Sequence, residues 1–186
     1  TADTGGPLSS AIDSIFNKGP SSYFWAGFVA KNTKPGGFTN EKPVGYIGDE
    51  NFRRSVWAEV IANAERYNEP NKFSTFVGFE WSASPSLHRV VIFRDGAGKT
   101  NKVLPYSAID SKNPEDLWAY LARYNAEFGG EALAIPHNSN LSSGQMFALQ
   151  DFDGRPLSSA YAKNRSRWEP LVEVTQIKGD SETHPT

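Results

Sequence analysis

Cysteine is absent from this chain of 186 residues. Its absence excludes disulfide bonds, zinc sites built from thiolates and a cysteine nucleophile. Long hydrophobic runs are also missing, and none reaches the length that a membrane-spanning helix needs. Charge of one sign is not in large excess, because the net charge is −2, so no basic field indicates a nucleic acid or an anionic membrane as a partner. The sequence leaves the compartment open, since residues 1–6 are not a signal peptide but a signal removed before them is compatible with this start.

What the chain does contain is enough apolar material for one core. With 38% hydrophobic residues, we predict a single domain over residues 1–186. Residues 1–48 are predicted to be irregular and loop-rich, because Gly, Pro and Asn interrupt them after one short helix. Residues 49–186 are predicted to form the α/β core, in which helical and strand patterns alternate: helices 49–67, 113–128 and 158–168, and strands 73–80, 88–93, 132–135 and 171–177. This order predicts a barrel-like or doubly wound α/β fold.

Two of the predicted strands end in side chains that are costly to bury without a partner. The first strand ends at Glu80, and the third is followed by His137. The connection between the first two strands is too short for a crossover helix, so we predict an antiparallel pair that brings His88 to the same end as Glu80. One such residue alone is more often a hydrogen-bonded structural group, but three at one edge favour a metal site. We predict that these imidazoles and this carboxylate bind zinc, manganese or iron.

Other polar residues are less specific candidates. Three are candidates for binding an anionic group, although each also fits a surface charge or a turn: Arg89, Asn138 and Lys178. Three more are possible additional metal ligands: Glu173, Asp180 and His184. Residues 96–100, Gly-Ala-Gly-Lys-Thr, lack the first glycine of a phosphate-binding loop, so we predict a hairpin or loop tip there.

Aromatic residues make up 13% of the chain and include five tryptophans. Trp57 and Trp118 lie on helical patterns, which indicates core packing. Trp25, Trp81 and Trp168 lie near irregular stretches, where exposed indoles can line a cleft. A non-catalytic carbohydrate-binding module that uses these exposed tryptophans is therefore the alternative to a metal-dependent enzyme.

Several segments together resemble a known family. They are residues 78–81 (Gly-Phe-Glu-Trp), 87–93 (Leu-His-Arg-Val-Val-Ile-Phe), 134–138 (Ala-Ile-Pro-His-Asn), 167–174 and 178–182. From about residue 73 onwards the chain resembles the bacterial DUF3604 family of unknown function, which in turn looks like a branch of the polymerase-and-histidinol-phosphatase (PHP) superfamily of metal-dependent phosphoesterases. This resemblance implies a distorted (β/α)7 barrel with metal ions at its strand ends. Glu80 then resembles the metal-bridging glutamate, and His88 and His137 resemble the two histidines that follow it.

The chain also departs from the superfamily pattern, since its opening His-x-His, its Asp-His pair and its closing Asp-x-His are absent. We therefore expect a segment of a larger barrel, whose open sheet edges favour self-association. The parent protein is expected to be a divalent-metal-dependent hydrolase of phosphate esters, acting on a small, unidentified and possibly phosphorylated substrate. The chain alone is expected to bind one metal ion weakly or none, and to be inactive.

Overall fold

The computed structural model describes residues 49–177 and 179–181, all of which belong to one compact unit of the chain. Within these residues there are four α-helices: α1 (Glu50–Tyr67), α2 (Ala97–Thr100), α3 (Pro114–Phe128) and α4 (Ser159–Trp168). The strands are β1 (Val77–Trp81), β2 (Arg89–Phe93), β3 (Ala132–Pro136), β4 (Thr175–Gln176) and β5 (Gly179–Asp180). The mixed α/β class is confirmed.

Helices α1 and α3 begin and end at the signals that the sequence provides. Asp49 Oδ1 accepts a hydrogen bond from the backbone N–H of Asn51 at 2.8 Å and so caps α1. Asn113 caps α3 in the same way, accepting from the N–H of Glu115 at 2.9 Å. Gly129 ends α3 in the left-handed conformation, with φ of 59°.

Strands β1, β2 and β3 form an antiparallel sheet with β2 in the centre. The register pairs Arg89, the first residue of β2, with Trp81 of β1 on one side and with Pro136 of β3 on the other. The carboxyl ends of β1 and β3 therefore lie at the same edge of the sheet as the amino end of β2. This confirms the predicted antiparallel pairing of the first two strands.

The two faces of this sheet differ. One face packs against α1 and α3: the ring of Phe93 lies 6.1 Å from Trp57 of α1 and 4.9 Å from Tyr124 of α3, measured between centroids. The buried sheet residues on this face are Val77, Trp81, Arg89, Val91, Phe93, Ala134 and Pro136. Residues that alternate with them, such as Glu80 and Val90, project from the opposite face and are half-buried or exposed.

Among the described strands, β2 and β3 are antiparallel neighbours although helices separate them in sequence, and these strands show no barrel, so the predicted barrel segment stays a prediction. One detail of the predicted fold needs correction. The predicted strand 171–177 is wrong over most of its length, since only Thr175–Gln176 has strand structure and pairs with Gly179–Asp180. Upstream of it, Glu173 is exposed and its N–H donates to the carbonyl of Pro136 at 3.0 Å, an isolated hydrogen bond that does not extend a ladder.

Other predictions from the sequence concern residues 97–100, membrane-spanning helices and residues 1–48. Residues 97–100 form the short helix α2 rather than a hairpin or loop tip. None of the helices in residues 49–177 is both long and apolar enough to cross a membrane. The predicted helix and loop within residues 1–48 lie outside the described residues.

Candidate metal centre

The edge shared by the three strands carries the candidate ligands. Glu80 projects from the second-last position of β1, on the face away from α1 and α3. His88 directly precedes β2 and His137 directly follows β3, and the N–H of His137 donates to the carbonyl of His88 at 3.3 Å. Because side chains alternate along a strand, each of these residues lies on the side opposite its core-facing neighbour, which is Trp81, Arg89 or Pro136.

The three side chains meet at one carboxylate oxygen. Glu80 Oε1 lies 2.9 Å from Nδ1 of His88 and 3.5 Å from Nε2 of His137. Ser82 Oγ donates to the same oxygen at 3.0 Å. The two imidazole rings are perpendicular, with 6.0 Å between their centroids. The predicted convergence of these three side chains is therefore present in the structure.

The cluster contains an ionised carboxylate and is partly buried. Hydrogen bonds from His137, and then from His88, hold the pKa of Glu80 well below its usual range, against a smaller opposing effect of burial. Its carboxylate therefore stays ionised at neutral pH. The Glu80 side chain is 49% exposed and that of His88 30%, whereas that of His137 is only 7% exposed. The cluster thus has an enclosed side at His137 and a side open to solvent at Glu80.

The geometry fits one transition-metal ion. In a tetrahedral site with bonds of about 2.1 Å, ligand atoms lie about 3.4 Å apart. One ligand atom from each of Glu80, His88 and His137 can be chosen so that all three lie within 4.8 Å of one another. Two imidazoles and one carboxylate form a ligand set used by zinc and by non-haem iron, and they leave at least one coordination position for water or substrate.

A second layer of contacts fixes His137. Gln176 of β4 donates from Nε2 both to the carbonyl of His137, through a short hydrogen bond, and to Oδ1 of Asn138 at 3.2 Å. Asn138 itself is buried at 2% exposure. The imidazole has its own contact, since Nδ1 of His137 lies 3.3 Å from the carbonyl oxygen of Ile135, and contacts of this kind to the second ring nitrogen orient metal-binding histidines in general. The sequence interpretation missed Gln176 and Ser82; only the position of Ser82, two residues after Glu80, signalled its role.

The remaining site predictions have different outcomes. Among the described residues, the group of His and acidic side chains with converging ligand atoms is Glu80, His88 and His137, and it includes neither Glu173 nor Asp180. Asp180 Oδ1 instead accepts a short hydrogen bond from the hydroxyl of Thr175 across the β4–β5 pair. Lys178 and His184 lie outside the described residues, so their predicted roles stay predictions.

Arg89 lies in a different environment from its neighbour His88. Its side chain is 1% exposed, and its Nε donates to Glu169 Oε1 at 2.8 Å. The indole N–H of Trp118 donates to the same oxygen at 2.9 Å, and Arg165 Nη2 lies 3.0 Å from Glu169 Oε2. This buried cluster lies on the helical side of the sheet. Sequence reasoning did not connect these residues, because they are up to eighty positions apart.

The predicted exposure of two tryptophans is wrong. Trp81 is fully buried, with the Arg89 guanidinium 5.5 Å from its ring centroid and its indole N–H donating to the carbonyl of Ser111 at 3.2 Å. Trp168 is 6% exposed, and its N–H donates to Asn164 at 3.1 Å. Both side chains belong to the core and are not available to line a carbohydrate-binding cleft. Trp25, the third candidate, lies outside the described residues.

Comparison with known proteins gives a family but no activity. The family model described as "Protein of unknown function (DUF3604)" matches residues 8–186. The chain belongs to the DUF3604 family. No curated protein and no solved structure matches the chain significantly. Membership therefore confirms the predicted family, and the arguments about function depend on the metal-ligand cluster.

Proposed function

We propose that this DUF3604 protein binds one divalent transition-metal ion through Glu80, His88 and His137, and that this ion serves the hydrolysis of phosphate esters. The observation that carries the proposal is the convergence of two imidazole nitrogens and one carboxylate oxygen within 4.8 Å at the edge of the sheet. Burial of a histidine beside a half-exposed glutamate has no evident packing purpose at a strand end. It does suit a site that must hold a cation and admit a substrate.

Each residue contributes a distinct property to this site. His137, which is buried and held by Gln176, gives the site a fixed point. His88 and Glu80 complete it from β2 and β1, and the lowered pKa of Glu80 supplies a negative charge at neutral pH. A bound ion of this kind lowers the pKa of water and stabilises negative charge on a phosphoryl group. The exposed side of the cluster at Glu80 gives a substrate access.

The finer parts of the proposal come from the sequence motifs. A phosphate ester as the substrate class, the relationship to the PHP superfamily and the distorted (β/α)7 barrel all rest on the order of the motifs around Glu80, His88 and His137. The metal site itself stands independently of the superfamily relationship, because it rests on side-chain geometry.

Metal analysis of the purified chain tests the site. After incubation with zinc or manganese and gel filtration, we expect one weakly bound ion per chain and its loss in the His137→Ala variant. Glu173→Gln is the matched control, since it removes an exposed carboxylate outside the cluster and should retain the metal. Equal metal content in wild-type protein and in His137→Ala, with both folded by circular dichroism, would refute the site.

The hydrolysis step is tested separately. The complete gene product, loaded with zinc, manganese or iron, is assayed with p-nitrophenyl phosphate as a generic phosphate ester. We expect activity that is abolished by a chelator and by His137→Ala. If the metal-loaded protein hydrolyses neither this probe nor phosphodiester probes, the proposed reaction is contradicted. The proposed metal site is not affected by that result.

A further inference from the structure

The end of β3, which leads into His137, is held by two separate parts of the chain. β3 is an edge strand with β2 as its neighbour, and the backbone N–H of His137 donates to the carbonyl of His88 at 3.3 Å. Further contacts come from the segment after α4, where the N–H of Glu173 donates to the carbonyl of Pro136 at 3.0 Å. This segment continues into the β4–β5 hairpin (residues 175–180), which therefore lies beside the strand end that supplies a proposed metal ligand.

The β4–β5 hairpin buries very little of itself. Each of its two strands has only two residues. Among residues 171–177, 179 and 180, every residue is exposed except Gln176. An element with few buried contacts opens at a low cost in free energy. Docking of the hairpin on the rest of the described chain therefore depends on a few polar contacts, and the side chain of Gln176 makes two of them.

The two contacts of Gln176 reach the metal-ligand cluster. Its Nε2 donates to the carbonyl of His137 through a short hydrogen bond, and to Oδ1 of Asn138 at 3.2 Å. These hydrogen bonds hold the backbone from which the His137 imidazole extends. Because the ring is joined to that backbone through a single methylene group, the position of its Nε2, 3.5 Å from Glu80 Oε1, depends on where the backbone lies.

The hairpin also approaches the loop after His137 closely at Gly179. A Cβ atom at this position would lie 3.2 Å from Nδ2 of Asn140, and the φ of Gly179 is 120°, a conformation that residues with a side chain rarely adopt. Glycine therefore permits both the backbone of the hairpin and its close approach to Asn140. This gives a second position at which docking can be disturbed without changing a contact of His137.

We propose that Gln176 is a positioning residue for the metal centre, and that docking of the β4–β5 hairpin sets the affinity of the site for its ion. This inference rests on the proposed metal site and adds a means of regulating it. When the hairpin is docked, His137 is already in place, so metal binding does not carry the cost of ordering it. Loss of a contact behind a metal ligand typically lowers metal affinity about 10–100-fold. The coupling is reciprocal, so a bound ion stabilises the docked hairpin by the same factor.

Titration with cobalt(II), a coloured substitute for zinc, tests the proposal on the full 186-residue chain. The visible absorption of the bound ion reports both its affinity and its coordination geometry. Gln176→Met keeps the length of the side chain, removes the amide donor and adds no charge. We expect this variant to bind cobalt at least ~10-fold more weakly and to show an altered absorption spectrum at saturation. Gly179→Ala should also weaken binding, because it strains the hairpin.

Ile177→Ala is the matched control. Ile177 lies in the same hairpin and is fully exposed, so this variant should bind cobalt with wild-type affinity and give the wild-type spectrum. The urea midpoint of metal-free Gln176→Met should stay close to that of metal-free Ile177→Ala. Weaker metal binding at an equal midpoint separates a positioning role from a structural one.

Hydrogen exchange measures the reciprocal effect. In the wild type, saturating cobalt should slow amide exchange in residues 173–181 by about the factor that separates the cobalt affinities of the wild type and Gln176→Met. In Gln176→Met this slowing should be lost. Exchange in these residues that cobalt does not slow in the wild type would overturn the proposed coupling.

The outcomes also distinguish this inference from the proposed function. If Gln176→Met and Ile177→Ala bind cobalt equally, the positioning role is overturned and the metal site stands. If the wild type binds neither cobalt nor zinc, the metal site and the positioning role are both overturned. Where Gln176→Met fails to fold, Gly179→Ala decides, and wild-type affinity in that variant overturns the proposal.

Discussion

His88 and Arg89 are neighbours in sequence, yet they belong to two charged clusters with opposite properties. On one side of the sheet, His88 and His137 surround Glu80, whose side chain is 49% exposed. On the other side, Arg89 and Arg165 surround Glu169, whose side chain is 1% exposed. Strand alternation alone separates the two environments. Each cluster places one carboxylate between two nitrogen-containing side chains, which are imidazoles around Glu80 and guanidinium cations around Glu169, and the two clusters differ in access to water.

That difference separates the proposed metal-binding role of one cluster from the structural role of the other. The Glu80 cluster opens to solvent, where a cation and a substrate can reach it. The Glu169 cluster is enclosed by Trp118 and Trp81 and links β2 to the end of α4, so its ionic contacts hold the fold together. Buried ion pairs seldom add net stability over apolar residues, but removing one partner is strongly destabilising. The same substitution should therefore have very different consequences in the two clusters.

The largest difference in stability between the two clusters is expected when each central glutamate, Glu169 or Glu80, is replaced with glutamine. Glu169→Gln leaves two guanidinium groups without a counter-charge in the core, and we expect a loss of about 3–5 kcal/mol in the free energy of unfolding. Glu80→Gln acts on a half-exposed group and should cost less than about 1 kcal/mol. Urea unfolding of the metal-free variants measures both. Similar losses in the two variants would mean that the Glu80 cluster is also a structural element.

A smaller difference in stability is expected when one neutral hydrogen-bond donor is removed from each carboxylate. Trp118→Phe removes the indole N–H that donates to Glu169 at 2.9 Å, and since this acceptor is charged and buried we expect a loss of about 2 kcal/mol. Ser82→Ala removes the hydroxyl that donates to Glu80 at 3.0 Å in a solvent-accessible setting, where the loss should stay below about 1 kcal/mol. The urea midpoints of the two variants test this order. A larger loss for Ser82→Ala would contradict the difference in burial on which it rests.

Much of the exposed cluster was predictable from sequence. A short connection between two strands fixes them as antiparallel, and this places Glu80 and His88 at one edge without any knowledge of tertiary contacts. The end of α3 at Gly129 and the start of β3 could also be predicted from the sequence. The position of β3 brings His137 to the same edge. The helix boundaries followed from caps such as Asp49 and Asn113, because capping is a local interaction.

The buried cluster was not predictable in the same way. The partner of Arg89 is eighty residues away, and no local signal in the sequence distinguishes Glu169 from a surface glutamate. Trp81 and Trp168 were misjudged for a related reason, since irregular sequence around an indole does not reveal that helices cover it. Residues 171–174 show strand-like alternation, yet a strand needs a neighbour to pair with, and the structure gives them none over that length. The partner of Arg89, the burial of the two tryptophans and the structure of residues 171–174 all depend on contacts between residues that are far apart in sequence.

The smallest expected effect concerns pH. Because the pKa of Glu80 is held below its usual value near 4.5, its ionised form stabilises the folded state above that pH, and this contribution is lost as the pH falls below it. Wild-type, metal-free protein should therefore be slightly more stable than Glu80→Gln at pH 6, by less than about 1 kcal/mol, and the difference should shrink steadily as the pH falls below 4.5. Thermal unfolding at several pH values checks this. Added salt should reduce the difference at pH 6, since the cluster is open to solvent. A difference that widens below pH 4.5 would show that Glu80 is stabilised in its protonated form, which would also count against its role as a metal ligand.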